Sequence, residues 1–358
     1  MDPIFDGVIG NPGVRRLLSG ALKSGDVSHA YLFYGPEGVG KRTVALRFAA
    51  ALVGEGDRAV RGRIMHGLHP DVVEVLPDGA FTTIGQVREV IRGASSRPFE
   101  GARRVFILRA DTLNLQSANA LLKTLEEPEG ETVFILLSTS REEVLPTVAS
   151  RARGVRFDPV PLPEVEGFLA QRGAENPALA ASLGRGSVGR ALRYATEEEM
   201  LSLRDTVLSA AFDLSSGMSG VLRHAGEIAS RAEEVGERKE REILEAAGDP
   251  DRRAREEARR AGRAAREEAA AEALDLLKLA YRDAAVTAAG APELVANLDR
   301  RAEIGGVAAN FDGADWTGAA READEGRESL AYNASPEAVL EVVLSRARRK
   351  ILGTSRDW

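Results

Sequence analysis

The stretch Ala30-Tyr31-Leu32-Phe33-Tyr34-Gly35-Pro36-Glu37-Gly38-Val39-Gly40-Lys41-Arg42-Thr43 decides the fold. Its first five residues are apolar or aromatic and read as a buried strand. A Gly-x-x-x-x-Gly-Lys run follows, and residues 42–52 then take up a helical pattern. Strand, glycine-rich turn and helix in that order form a phosphate-binding loop, or P-loop. The glycines Gly35, Gly38 and Gly40 let backbone N–H groups turn inward, the helix N-terminus adds its positive end, and Lys41 supplies a mobile charge. The first domain is therefore expected to be a nucleotide-binding α/β module.

The same stretch lacks part of what hydrolysis needs. The residue after the lysine should carry a hydroxyl that ligates magnesium, and here it is Arg42. Thr43 comes one position late, about 100° further round the helix. A second requirement is an acid at the end of a neighbouring strand. The candidate strand closes Ile107-Leu108-Arg109-Ala110-Asp111, where Asp111 is the one acid and it comes late. Capping the helix that follows is the plainer expectation for Asp111.

Outward from the loop, short apolar runs alternate with helical patterns from about residue 29 to 157. Val72 to Leu76, Val105 to Leu108 and Val133 to Leu137 join Ala30 to Tyr34, so four or five strands in a parallel sheet are expected. Past Pro161 and Pro163 the pattern changes to short helices with a turn from Gly184 to Gly189. Beyond about residue 200 only helical patterning remains. In a chain of 358 residues that is 44% hydrophobic and 5% aromatic, this amounts to three domains and a largely α-helical mass. Leu274, Leu277 and Tyr281 fall at i, i+3 and i+7 and predict a packed helix face. The charge-dense segment 231–272 carries no aromatic residue and reads as a solvated helical hairpin, with partner recognition as the second reading. Gly248-Asp249-Pro250 would turn it, with Asp249 as N-cap and Pro250 as the first helical residue.

Composition closes several routes. There is no cysteine, so disulfides and thiolate zinc sites are excluded. Net charge is −7, which argues against a strong nucleic-acid footprint for the chain as a whole while leaving local basic faces open. No signal peptide and no uncharged membrane-length run is evident, so a cytoplasmic location and no membrane partner are expected.

One further segment, Asn119-Ala120-Leu121-Leu122-Lys123-Thr124-Leu125-Glu126-Glu127-Pro128, closely resembles a segment of the bacterial clamp-loader AAA+ family. Phe5-Asp6-Gly7-Val8-Ile9-Gly10, His29 to Phe33, the P-loop and Ser150-Arg151-Ala152-Arg153 occur in the order and at the spacing of that family. The resemblance is strong over residues 2–195. It implies an AAA+ domain over 1–158, a helical lid over 159–205 and an all-α collar over 206–358, with the charged segment 231–272 inside the collar.

What the resemblance implies about sites is specific. The Asp-Glu pair of hydrolysing members falls at Leu108 and Arg109, so both acids are gone, and with Arg42 this points to a stationary, non-hydrolysing member. Nucleotide contacts would come from Val8, Ile9, Gly35, Gly38, Gly40, Lys41, Arg42, Thr43 and Arg190, holding ATP or ADP without efficient hydrolysis. Ser138 and Thr139 match a first phosphate sensor, and Gly189-Arg190 a second. For Arg190 a plain interhelical turn serves equally well. Arg151 matches an arginine finger that acts in trans on a neighbour's ATP, although on its own residues a surface salt bridge would suffice. Family members often carry a four-cysteine zinc module before the residues matching His69-Pro70-Asp71. Here His66 and His69 alone are too few ligands, so no zinc is expected and both read as loop residues. Expected partners are gamma/tau-type motor subunits, a clamp-opening delta subunit and, through the assembly, the sliding clamp and primed DNA. Polymerase motifs are lacking. An active AAA+ motor using Lys41, Thr43 and Asp111, and a purely structural ring member, remain open alternatives.

Overall fold

In a computed structural model of the chain, the described residues are 3–54, 57–77, 81–127, 130–248, 250–330 and 334–353. They form two compact units, residues 1–177 with 184–192, and residues 178–183 with 193–358. The segment 159–205 contributes to both.

The first unit holds five parallel strands, β1 (Ala30–Tyr34), β2 (Val72–Val75), β3 (Arg104–Arg109), β4 (Thr132–Ser138) and β5 (Arg153–Arg156), in the order β2-β3-β4-β1-β5. Helices α1 (Pro12–Ser24), α2 (Lys41–Gly54), α3 (Arg58–Met65), α4 (Ile84–Ala94), α5 (Leu115–Glu126), α6 (Pro146–Ala149) and α7 (Leu162–Ala170) complete most of it. Successive side chains on a strand point to opposite faces. Tyr31, Phe33, Val105, Ile107, Val133 and Ile135 therefore pack on α2 through Val44 and Phe48, whereas Leu32, Phe106, Leu108, Phe134 and Leu136 pack on α4 and α5 through Val87, Leu121 and Leu125. Covering both faces is why β1 to β4 read as apolar runs, whereas the edge strand β5 buries only Val155. All seven residues of β4 are buried, as befits a central strand. The run at Val72 stops at Val75 because Leu76 is 68% exposed.

Local capping departs from expectation at one acid. Helix α5 is capped by Asn114, whose side chain accepts from the Ser117 N–H, so Asp111 is not the cap. The connection from β3 runs three residues past Asp111 before the helix turns in, which leaves that carboxylate at the strand end. Helix α4 has a full capping box between Thr83 and Gln86.

The next helices are α8 (Pro177–Gly184) and α9 (Val188–Thr196), joined by a turn in which Arg185 has φ 49°. The second unit is built mainly from α10 (Glu198–Phe212), α11 (Gly217–Ala247), α12 (Arg252–Ala288), α13 (Arg301–Asn310), α14 (Trp316–Leu330) and α15 (Pro336–Leu352). Leu274, Leu277 and Tyr281 are buried, as their spacing implies. Arg204 is buried as well, and is held by Asn297 at 2.8 Å and by both oxygens of Asp299.

Segment 231–272 is a helical hairpin of α11 and α12. Two glycines let its helices meet: a Cβ on Gly236 would lie 2.7 Å from the Gly262 carbonyl oxygen, and one on Gly262 would lie 2.9 Å from that of Gly236. The turn differs from expectation. Asp251 caps α12 by accepting from the Ala254 N–H at 2.8 Å, so Pro250 precedes the cap and is not the first helical residue. Asp249 lies outside the described residues.

Candidate functional site

The carboxyl ends of the strands gather the expected loop residues. Strand β1 delivers Gly35, and α2 begins at Lys41. Gly35 has φ 143°, and a Cβ there would stand 2.1 Å from the Phe157 carbonyl oxygen just beyond β5. Gly38 has φ 72°, and a Cβ there would stand 1.9 Å from Ser187 Oγ. These two positions admit no side chain, because the loop is pressed between the end of β5 and the turn before α9. The Gly38 carbonyl accepts from the Gly189 N–H at 3.0 Å, and the Arg190 N–H donates to Ser187 Oγ at 3.1 Å. The turn from Gly184 to Arg190 thus meets the loop tip through its backbone.

Val8 packs against the core beside α2, and both Val8 and Ile9 are half-buried. Asn11 fastens their segment to the end of β5: its amide donates to the Asp158 carbonyl at 3.0 Å and its side-chain oxygen accepts from the Asp158 N–H at 2.8 Å.

The charged groups around the loop are already paired. Lys41 Nζ donates to the Gly35 carbonyl and, at 2.6 Å, to that of Pro36. Burial pushes its pKa down, and the carboxylates of Glu37 and Asp111 oppose that in part. Arg42 makes a two-pronged contact with Glu74 of β2, Nε to Oε1 at 2.5 Å and Nη2 to Oε2 at 2.6 Å. That bond raises the Arg42 pKa, so the position of the usual metal-binding hydroxyl carries a fixed cation. Thr43 is exposed on the next position of α2.

At the end of β3, Leu108 is 1% exposed and belongs to the core. Arg109 turns back on Asp111, Nε to Oδ1 at 3.0 Å and Nη2 to Oδ2 at 2.9 Å, and lies 3.9 Å from Glu37. The one acid at this strand end is therefore neutralised by its own neighbour. It also accepts from the Thr139 N–H at 3.3 Å, while Ser138 Oγ is spent on the Ser140 carbonyl at 2.6 Å.

Arg151 stands elsewhere. It follows α6 and precedes β5, at the amino end of the strands, and β5 is an edge strand. The whole length of β5 separates Arg151 from Phe157, whose carbonyl lies beside the loop. Its Nε donates to Glu126 Oε1 at 2.6 Å, Nη2 donates to the same oxygen, and Nη1 donates to the Thr147 carbonyl at 2.8 Å. The side chain keeps 31% of its surface exposed. The structure thus brings the loop, Val8, Ile9 and the Arg190 backbone together and places Arg151 apart from them.

Both histidines lie in the connection between α3 and β2, but His69 is buried there. His66 ends α3 with its ring on the Gly62 carbonyl, and His69 is buried, accepting from the Asp71 N–H at 3.2 Å. Among the described residues no group of three His, Cys, Asp or Glu could hold a metal ion.

The partners Glu74, Ser187 and Glu126 were missed as site residues. Glu74 had a signal, being the single charge inside an apolar strand run. Ser187 had none.

Comparisons with known proteins bear on this same region. Residues 10–161 match the family described as DNA polymerase III, delta subunit. The delta-prime subunit of Pseudomonas aeruginosa DNA polymerase III is 38% identical over 135 residues, covering 35% of this chain and 41% of its own. That of Bacillus subtilis is 30% identical over 207 residues, covering 55% and 63%. Over residues 10–161 the chain is thus similar to delta-prime subunits of DNA polymerase III. The tau subunit of Bacillus subtilis is 34% identical over 164 residues, covering 43% of this chain and 28% of its own. The chain spans less than two thirds of the length of each of these relatives.

Proposed function

We propose that the chain is a delta-prime-type subunit of a clamp loader, a ring member that does not hydrolyse ATP efficiently and that completes a neighbouring subunit's ATP site with Arg151. The observation that carries this reading is the disposition of arginines around the sheet. Arg42 fills the metal-ligand position and is held by Glu74, and Arg109 consumes Asp111. In-chain hydrolysis would need those two places free for magnesium. Arg151 by contrast sits at the far end of the sheet, partly exposed beside an edge strand, where another subunit's phosphates could reach it.

An arginine suits that task because its planar fork matches phosphate oxygens and its charge offsets what develops in the transition state. The loop would hold ATP or ADP through its backbone, Lys41 and the neighbouring turn. Gamma/tau-type and delta subunits are the proposed partners, with clamp and primed DNA engaged by the whole assembly in the cytoplasm. No helix of the described residues is long and apolar enough to cross a membrane.

The test is the ATPase of the reconstituted complex. Arg151→Ala is expected to lower it by roughly 10³-fold or more, the range for fingers supplied in trans. Unchanged turnover would leave a purely structural ring member. The identity to tau favours testing the motor reading as well. Turnover by the isolated chain that Lys41→Ala abolishes would establish that reading instead.

A further inference from the structure

The two arms of the hairpin have opposite charge. Residues 231–245 of α11 hold four basic and six acidic residues, whereas residues 252–266 of α12 hold seven arginines and two glutamates. Every cation of the α11 arm has an acid partner: Arg231 with Glu234 at 2.9 Å, Arg238 with Glu242 at 3.5 Å, Lys239 with Glu242 at 3.3 Å and Arg241 with Glu237 at 3.7 Å. On α12, Arg260 pairs with Glu256 and Arg266 crosses to Glu233 at 2.7 Å. Arg252, Arg255, Arg259 and Arg263 are exposed and have no ion-pair partner among the described residues.

Their spacing puts them together. At 100° per residue the four, with Arg266, fall within about 80° of arc, beside the face that carries Ala258, Gly262 and Ala269 into the hairpin. No acidic and no apolar residue of 252–266 lies in that arc. The row extends about 16 Å along the helix. It starts in the first turn of α12, where the helix dipole favours acids over cations and where this helix has no acid. Folding alone gives no reason for such a row, and breaches of local preference without structural return mark functional places.

We propose that this face of α12 is a docking surface for the phosphate backbone of duplex nucleic acid. Charge complementarity names the partner class, since unpaired arginines in register along a helix neutralise a regular polyanion. A protein partner is disfavoured because the arc offers no apolar centre, which stable protein interfaces have. A single strand is disfavoured because segment 231–272 has no aromatic side chain on which bases could stack. Recognition would be independent of sequence, as for any contact made to phosphates alone. The surface does not depend on the role of Arg151.

The experiment is a fluorescence-anisotropy titration of the full chain against a labelled mixed-sequence DNA duplex and one of its single strands, at several salt concentrations. Wild-type chain is expected to prefer the duplex. Changing Arg252, Arg255, Arg259 and Arg263 together to Gln should weaken duplex binding more than tenfold at low salt, and should reduce the slope of log K against log salt by about 3 to 4. Gln keeps the helix propensity of Arg, and circular dichroism verifies folding. A control replaces Arg231, Arg238, Lys239 and Arg241 with Gln, the same change in net charge, and should leave the slope unaltered. Equal losses from both variants would overturn the proposal in favour of diffuse charge. So would tighter binding to the single strand. Absence of duplex binding, with the α12 variant instead losing a subunit from the reconstituted complex, would assign the face to an acidic protein.

Discussion

The two ends of the parallel sheet use the same bond to opposite effect. At the carboxyl ends, Arg42 and Arg109 bind Glu74 and Asp111, and each pair removes a group that a magnesium-dependent site would need. At the amino end, the Arg151 pair with Glu126 leaves the arginine side chain 31% exposed, at the opposite end of the strands from the chain's own loop. On the proposed function, an arginine beside a carboxylate disables chemistry in one place and stores it in the other. What differs is whether a second molecule can still reach the pair. The largest expected effect accordingly lies at Arg151. Arg151→Lys in the complex should recover only a minor part of the loss caused by Arg151→Ala, because lysine offers a point charge without the fork. Full recovery would show that charge alone is needed there.

The amino end also contains a carboxylate with no mobile role. Asp71 is 0% exposed and accepts from the N–H groups of Phe99 at 2.6 Å, Glu100 at 2.9 Å and Gly101 at 2.8 Å. Burial pushes its pKa up, but the three N–H bonds outweigh this and hold it below the ordinary value of 3.8. A carboxylate depressed on folding adds stability above its unfolded pKa, and that stability is lost as pH falls through the folded value. Asp71→Asn should lower unfolding free energy by about 2–4 kcal/mol at neutral pH, since one amide hydrogen must face a backbone donor. It should also flatten the acid limb below the ordinary carboxylate value of 3.8. Chemical denaturation across that range measures both. An unchanged acid limb would mean that other carboxylates set it.

Four strands were legible because β1 to β4 are apolar runs covered on both faces, whereas β5, Arg153-Gly154-Val155-Arg156, buries only Val155 and offers no such run. Leu76 misled by one residue because hydrophobicity alone cannot report that a strand's last side chain has lost its cover. The pairing around the loop was legible in part: Arg42, Leu108 and Arg109 stand in the sequence, whereas their partners depend on register. Glu74 is brought beside Arg42 by the parallel order of β1, β4, β3 and β2, which no local pattern encodes. Caps failed for a related reason. Asp111 and Asn114 are both good capping types three residues apart, and the length of the β3 connection chose between them. In the hairpin, the row of unpaired arginines on α12 was hidden inside a composition that nearly balances.

A smaller effect tests whether the loop end is disabled at one place or two. With Arg42→Thr, a hydroxyl returns to the metal position and Glu74 is released. Calorimetric titration with ATP should then show affinity improved roughly tenfold by magnesium, about one charge-assisted contact, where wild-type binding is indifferent to the metal. Turnover should stay absent, because Asp111 remains bound by Arg109. Hydrolysis by this single variant would show that the end of β3 is competent after all and that Arg42 alone holds it silent.

The smallest effect separates storage from positioning at the other end. Each guanidinium nitrogen of Arg151 donates within its own chain, two of them to Glu126, so the Glu126 carboxylate competes with an incoming phosphate for the fork. Both partners are partly exposed, and such a pair is worth at most about 1 kcal/mol, or roughly a fivefold change in rate. Glu126→Gln removes the competing charge and keeps one acceptor, so it should raise the ATPase of the reconstituted complex by a few-fold at most and do nothing in an Arg151→Ala background. A fall of similar size that also vanishes in that background would reverse the assignment: Glu126 would then orient the arginine for its neighbour, and the pair would be part of the finger.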